Sequence, residues 1–126
     1  MSTTAKTTAV QLAALAERPA DAPVVMVNLL QFKNPGGLER YLQYGLEAAP
    51  HLERVGARII YGGVAPAILL GDGQKPWWDA ILIVEYPTPA AFIEMVTAPD
   101  YPEELRATAL DRGDLIATSI WSLASE

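Results

Sequence analysis

The segment Val24 to Phe32, VVMVNLLQF, constrains the fold more than any other stretch, because both of its faces are apolar. Successive side chains of a strand point to opposite sides. Val24, Met26, Asn28, Leu30 and Phe32 therefore share one face, and Val25, Val27, Leu29 and Gln31 share the other. An antiparallel strand with one face in water alternates apolar and polar residues. This one does not, and it is bounded by Pro23 and by the turn formers Asn34-Pro35-Gly36-Gly37. The pattern predicts a strand in a sheet covered on both sides.

Leu38 to Val55 follows helical spacing, with Leu38, Tyr41, Leu42, Ala48, Leu52 and Val55 on one stripe, Gly56 as its stop and Pro50 as a possible break. Arg58 to Leu70 reads as a second strand, bulged at Gly62-Gly63 and placed at an edge by Pro66. The turn Gly71 to Pro76 leads through Trp77-Trp78 to a third strand, Asp79 to Tyr86, forming a hairpin with the second. Thr88-Pro89 caps a further helix, and Asp100 with Glu103 signals a short one from Tyr101 to Leu110, ended by Gly113. Leu115 to Leu123 is the last strand. The order β-α-β-β-α-β is the split βαβ arrangement of an α+β, ferredoxin-like domain, a four-stranded antiparallel sheet with helices on one face. Residues 1–23 form an N-terminal helix or arm, either docked or frayed, and residues 24–126 a single domain.

Helices on one face leave the other uncovered. The third strand sets Ala80, Leu82 and Val84 opposite Ile81 and Ile83, and the fourth sets Leu115, Ala117 and Trp121 opposite Ile116 and Ile120, so whichever face is left uncovered is apolar across the sheet. Four strands of about seven residues, spaced about 4.8 Å apart and rising about 3.3 Å per residue, give it about 440 Å² in plan. A patch of that size is an association surface. Its most economical partner is a second copy about a two-fold axis, so the chain is expected to be a homodimer packed sheet to sheet.

Composition narrows the chemistry. The 126 residues are 51% hydrophobic and 19% charged, as in a globular domain, and contain no cysteine and one histidine. Disulfides, thiolate nucleophiles, cysteine-ligated zinc and sites needing two imidazoles are excluded. Asp and Glu follow no calcium-loop pattern, so neither a metal nor a cofactor is expected. Nine basic residues against fifteen acidic ones give a net charge of −6 without a basic cluster, which argues against nucleic acid. Lys6 with Ala9 to Ala16 is too short and too polar for a secretory signal, and no stretch reads as a membrane span. A cytoplasmic location is expected. Neither Gly62-Gly63 nor Asp72-Gly73 belongs to a phosphate-binding loop.

The segments Met26 to Lys33, Trp78-Asp79 with Val84-Glu85-Tyr86-Pro87, and Ala98-Pro99-Asp100-Tyr101 resemble the DUF 1330 family of the dimeric α/β-barrel superfamily, over about residues 24–122. The resemblance implies a ferredoxin-like protomer and a dimer with facing sheets. The family has no common activity. The wider superfamily includes cofactor-independent monooxygenases, muconolactone isomerase, polyketide cyclases and haem-binding enzymes, a menu rather than an answer. For haem, His51 alone could supply an axial imidazole.

Two readings stay open for each polar candidate. His51 is either a general base facing a cleft between helix and sheet or a half-exposed helix histidine. Asn28 either holds a carbonyl or enolate oxygen or makes a structural hydrogen bond. Glu85 is either a desolvated carboxylate or an exposed or arginine-paired one. Trp77 and Trp78 either wall a flat ligand or pack. Tyr41, Tyr44 and Tyr101 either present hydroxyls to a cavity or edge the core, and Arg106 either binds a carboxylate or pairs with Glu103 or a nearby aspartate. The functional expectation is a homodimer with one apolar pocket per protomer for a small aromatic or carbonyl compound. If it is an enzyme, its chemistry is metal-independent isomerisation, cyclisation or oxygenation. The rival expectation is a non-catalytic ligand-sensing or structural module.

Overall fold

A computed structural model describes residues 7–123. Thr8 starts helix α1 (Ala9–Ala16) through a reciprocal cap, its hydroxyl accepting from Gln11 N at 3.2 Å and its N–H donating to Gln11 Oε1 at 2.9 Å. The helix is docked: Leu15 is buried in the core, and Arg18 donates to Ser119 Oγ and to the Ala117 carbonyl. There follow β1 (Val24–Phe32), α2 (Gly37–Val55), β2 (Arg58–Val64), β3 (Ala80–Tyr86), α3 (Pro89–Thr97), α4 (Glu103–Ala109) and β4 (Leu110–Thr118). The strands form one antiparallel sheet in the order β2-β3-β1-β4, the ferredoxin-like α+β arrangement expected from the sequence. Among the described residues no helix is long and apolar enough to cross a membrane.

Several boundaries differ from the expectation. Strand β2 ends at Val64, where Ala65 takes a positive φ of 57°, so Pro66 lies beyond the ladder. Its register shifts between Ile59 and Tyr61 rather than at Gly62-Gly63. Helix α2 runs unbroken through Pro50 to Gly56, whose left-handed backbone (φ 80°) lets Ala57 N donate to Leu52 O. The Asp100–Glu103 cap does not form; Pro102 occupies the N-cap of α4, without a side-chain cap. Strand β4 begins five residues earlier than the apolar run suggests, because its first half, LDRGD, is an edge segment whose charged side chains reach water. Gly113 is therefore a strand residue opposite Leu30, not a helix stop.

The register sorts the side chains. On the face under the helices, Val24, Met26, Asn28 and Leu30 of β1 and Ala80, Val84 and Tyr86 of β3 are all buried. This core has two parts. One gathers Val24, Met26, Tyr86, Phe92 and Met95 with Leu15, and the other gathers Leu30, Ala80, Ala109 and Leu110. Asn28 lies between Met26 and Leu30, at the seam. On the other face Val25, Val27, Leu29, Ile81 and Ile83 are half-buried, and Ile116, opposite Val27, is 44% exposed.

Candidate functional site

A cavity of about 40 Å³ opens at the seam between the two halves of the core. The sheet contributes Asn28, Tyr86 and Leu115, helix α2 Tyr44, helix α3 Phe92 and Val96, and the chain into α4 Tyr101, Glu103 and Arg106, with Thr7 also on its lining. A space of this size holds a few water-sized groups, well short of the roughly 150 Å³ that encloses a benzene ring.

The polar groups are fixed by one another. Asn28 is only 7% exposed, and both ends of its amide are used: Nδ2 donates to the Leu82 carbonyl at 3.1 Å, and Oδ1 accepts from Arg106 Nη2 at 3.1 Å. The structural hydrogen bond and the cavity position thus coexist. A Cβ at Gly113 would stand 2.8 Å from Leu110 Cδ1, so the missing side chain leaves room for the Leu110 side chain beside this site. The positive charge of Arg106 also acts on the Tyr41 phenol, opposing part of the upward push of burial. The Tyr44 and Tyr101 hydroxyls are in hydrogen-bond contact, with their rings edge to face. Burial pushes the phenols of Tyr41 and Tyr101 up to about 12, and those of Tyr44 and Tyr86 higher still.

Of the residues singled out from the sequence, Asn28, Tyr44, Tyr101 and Arg106 meet at this cavity, and Tyr41 packs on Tyr44 with ring centroids 5.3 Å apart. His51 is buried outside the lining, its ring edge-on to Tyr101 at 5.8 Å. Arg54 Nη2 reaches His51 Nδ1 at 3.1 Å. A guanidinium has only donors, so Nδ1 accepts and a neutral His51 carries its proton on Nε2. Glu85 projects from the opposite face of the sheet, where its carboxylate accepts from Arg58 Nε at 2.7 Å. His51, Asn28 and Glu85 therefore do not converge, because strand alternation puts positions 28 and 85 on opposite sides in this register.

Trp77 and Trp78 also lie off the cavity. Trp77 sits under the Arg112 guanidinium at 3.8 Å and its carbonyl accepts from Gln31 Nε2, while Trp78 is half-buried and its carbonyl accepts from Lys75. Arg112 also pairs with Asp114 at 3.2 Å, whereas Arg106 turns inward. Among the described residues no three His, Asp or Glu side chains cluster as metal ligands. Glu103 and Tyr86 line the cavity although the sequence reading gave them no site role. The signal for Glu103 was its place three residues before Arg106, on the same helical face.

No protein-family model and no functionally curated protein matches the chain. Among solved structures it is similar to the RPA0582 protein of unknown function from Rhodopseudomonas palustris, at 28% identity and TM-score 0.80 over 96% of this chain and 99% of that one. A methylated form of that protein gives 29% and 0.82 over 99% and 100%. A dimeric ferredoxin-like protein of unknown function from Thermobifida fusca aligns at TM-score 0.52 and 10% identity, over 79% of this chain and 92% of that one. The shared property is the ferredoxin-like fold. These relatives are themselves without a known activity.

Proposed function

We propose that the protein is a small-molecule-binding homodimer whose ligand occupies the cavity between sheet and helices, in keeping with the resemblance to the DUF 1330 family. One observation carries this: four polar side chains from separate parts of the chain, Asn28, Tyr44, Tyr101 and Arg106, turn inward at the one seam where the core divides. Buried polar groups gathered around a space are a binding-site signature. The cavity's size favours a carbonyl-type head group over an enclosed aromatic ring; a ring would remain at the mouth.

If the protein is catalytic, as a metal-independent isomerase, cyclase or monooxygenase, Glu103 is the carboxylate placed to move a proton and Arg106 the cation placed to steady a developing enolate. His51, walled off by Tyr101, would act by positioning that ring. The half-buried Val25, Val27, Leu29, Ile81 and Ile83 support assembly through the open sheet face, which as an unpaired surface lies in the range where association is favoured.

Native mass spectrometry of the full-length protein tests both parts. The expected species has the mass of two chains, and compounds that bind should perturb the Tyr101 and Arg106 resonances in NMR spectra. A monomer at micromolar concentration overturns the assembly. A fragment screen in which nothing reaches those resonances overturns the ligand site.

A further inference from the structure

The hydrogen-bonding sense of the cavity wall identifies what it can hold. Asn28 is engaged at both ends, by one donated and one accepted bond. Tyr44 and Tyr101 place one proton between their two oxygens, so one of the two phenol protons remains to be donated elsewhere. Arg106 carries five N–H donors. Its side-chain acceptor is a neutral oxygen, Asn28 Oδ1, and among the described residues no carboxylate stands within ion-pair distance of it. Glu103 lines the same cavity without closing a pair to Arg106. A half-buried guanidinium that no carboxylate pairs with directly thus lines the same space as a phenol pair with one proton to donate, with Glu103 further along the lining. A ligand there must accept hydrogen bonds, and a negative charge would compensate Arg106.

We infer that the cavity takes a small organic monocarboxylate, its two oxygens shared between the Arg106 guanidinium and the hydroxyl of the Tyr44–Tyr101 pair. The inference rests on the cavity being the ligand site proposed above. About 40 Å³ suits a carboxylate and the carbon next to it, with Phe92, Val96 and Leu115 as the apolar wall for that carbon. The rest of a larger acid would leave through the open side. The negative charge of Glu103 in the same lining disfavours a second anionic group, so dicarboxylates and inorganic phosphate should bind less well than acetate or pyruvate.

The test titrates the full chain, at fixed ionic strength, with acetate, pyruvate, malonate, phosphate and the neutral isostere acetamide, following Arg106 Nε–H and Tyr101 resonances by NMR. Acetate and pyruvate should bind at least about tenfold more tightly than acetamide, and Arg106→Gln should remove that preference. Equal binding of acetate and acetamide, or a preference retained in Arg106→Gln, overturns the carboxylate while leaving a neutral-ligand cavity standing. Stronger binding of malonate or phosphate than of acetate overturns the monocarboxylate assignment. If none of the five reaches the cavity while other fragments do, the carboxylate alone falls; if nothing reaches it, the cavity reading falls as well. Should Arg106→Gln not fold, the acetate-to-acetamide ratio on the unaltered protein decides.

Discussion

The two faces of the sheet are built from similar residues and behave differently. Under the helices, Val24, Met26 and Leu30 are 2%, 2% and 1% exposed. One residue away on the same strand, Val25, Val27 and Leu29 are only half-buried. The covered face is fully buried inside one chain, whereas the other is only partly so and would gain further burial in the proposed dimer. The covered face also bears the polar insertion, Asn28, with an arginine and a tyrosine cluster built around it, while charge on the open face is held in the ion pairs of Glu85 with Arg58 and Arg112 with Asp114. An apolar strand can thus serve two interfaces, and the position of its polar residue tells which side carries a site.

The sharpest way to break this comparison is a pair of adjacent truncations. Leu30→Ala should destabilise by about 2–5 kcal/mol at any protein concentration, since it empties a fully buried position. Leu29→Ala should instead weaken the proposed dimer, so that its loss of Tm depends on protein concentration. Calorimetry at two concentrations separates them. A concentration-dependent loss for Leu30→Ala would mean that the two faces are coupled.

Next in size is alkaline destabilisation, which belongs to the covered face alone. The Tyr41 and Tyr101 phenols, at 10.0 in the unfolded chain, stand at about 12 in the fold because burial disfavours the phenolate. Between these values the unfolded chain has released protons that the native one keeps. Stability is therefore full below pH 10 and falls as pH rises through 12. Each phenol contributes up to about 3 kcal/mol to that loss. Tyr101→Phe should flatten the slope measured by urea titration across this range, and an unchanged slope would contradict the burial of that hydroxyl.

Asn28→Ala comes third, at about 1–3 kcal/mol, because it leaves Arg106 Nη2 without its acceptor and opens a gap in the seam. The same variant should weaken ligand binding by freeing Arg106 to move. A Gln31→Ala control on the open face, losing the bond to the Trp77 carbonyl, should leave ligand binding unchanged.

The parts of the molecule that the sequence made legible were those set by patterning. Apolar runs bounded by Pro and Gly marked β1 to the residue, and the Thr88 cap was readable because capping acts over three residues. Asn28 stood out as a lone amide in an apolar strand. Its partner did not, because Arg106 lies 78 residues away and only the packing of α4 beside β4 brings them together. Glu85 was misleading for a related reason: register, which no local pattern fixes, decides which face a strand-end carboxylate joins. The polar LDRGD start of β4 read as the end of a helix stopped at Gly113, since an edge strand needs no apolar alternation where its side chains meet water.

The smallest expected effect tests the open face at its margin. Glu85 and Arg58 form an ion pair at 2.7 Å, with side-chain exposures of 18% and 71%. A pair so open to solvent contributes about 0.2–1 kcal/mol, because water and salt screen it and two long side chains must be held still. Glu85→Gln should accordingly lower stability by less than about 1 kcal/mol, with the difference shrinking at high salt. Ligand affinity should not change, since Glu85 and the cavity lie on opposite sides of the sheet. A larger loss that also grows on dilution would show the pair enclosed between two sheets, because only desolvation makes such a pair strong enough to govern assembly. Measured across salt and protein concentration, this one substitution reports where the edge of the open face ends and the dimer begins.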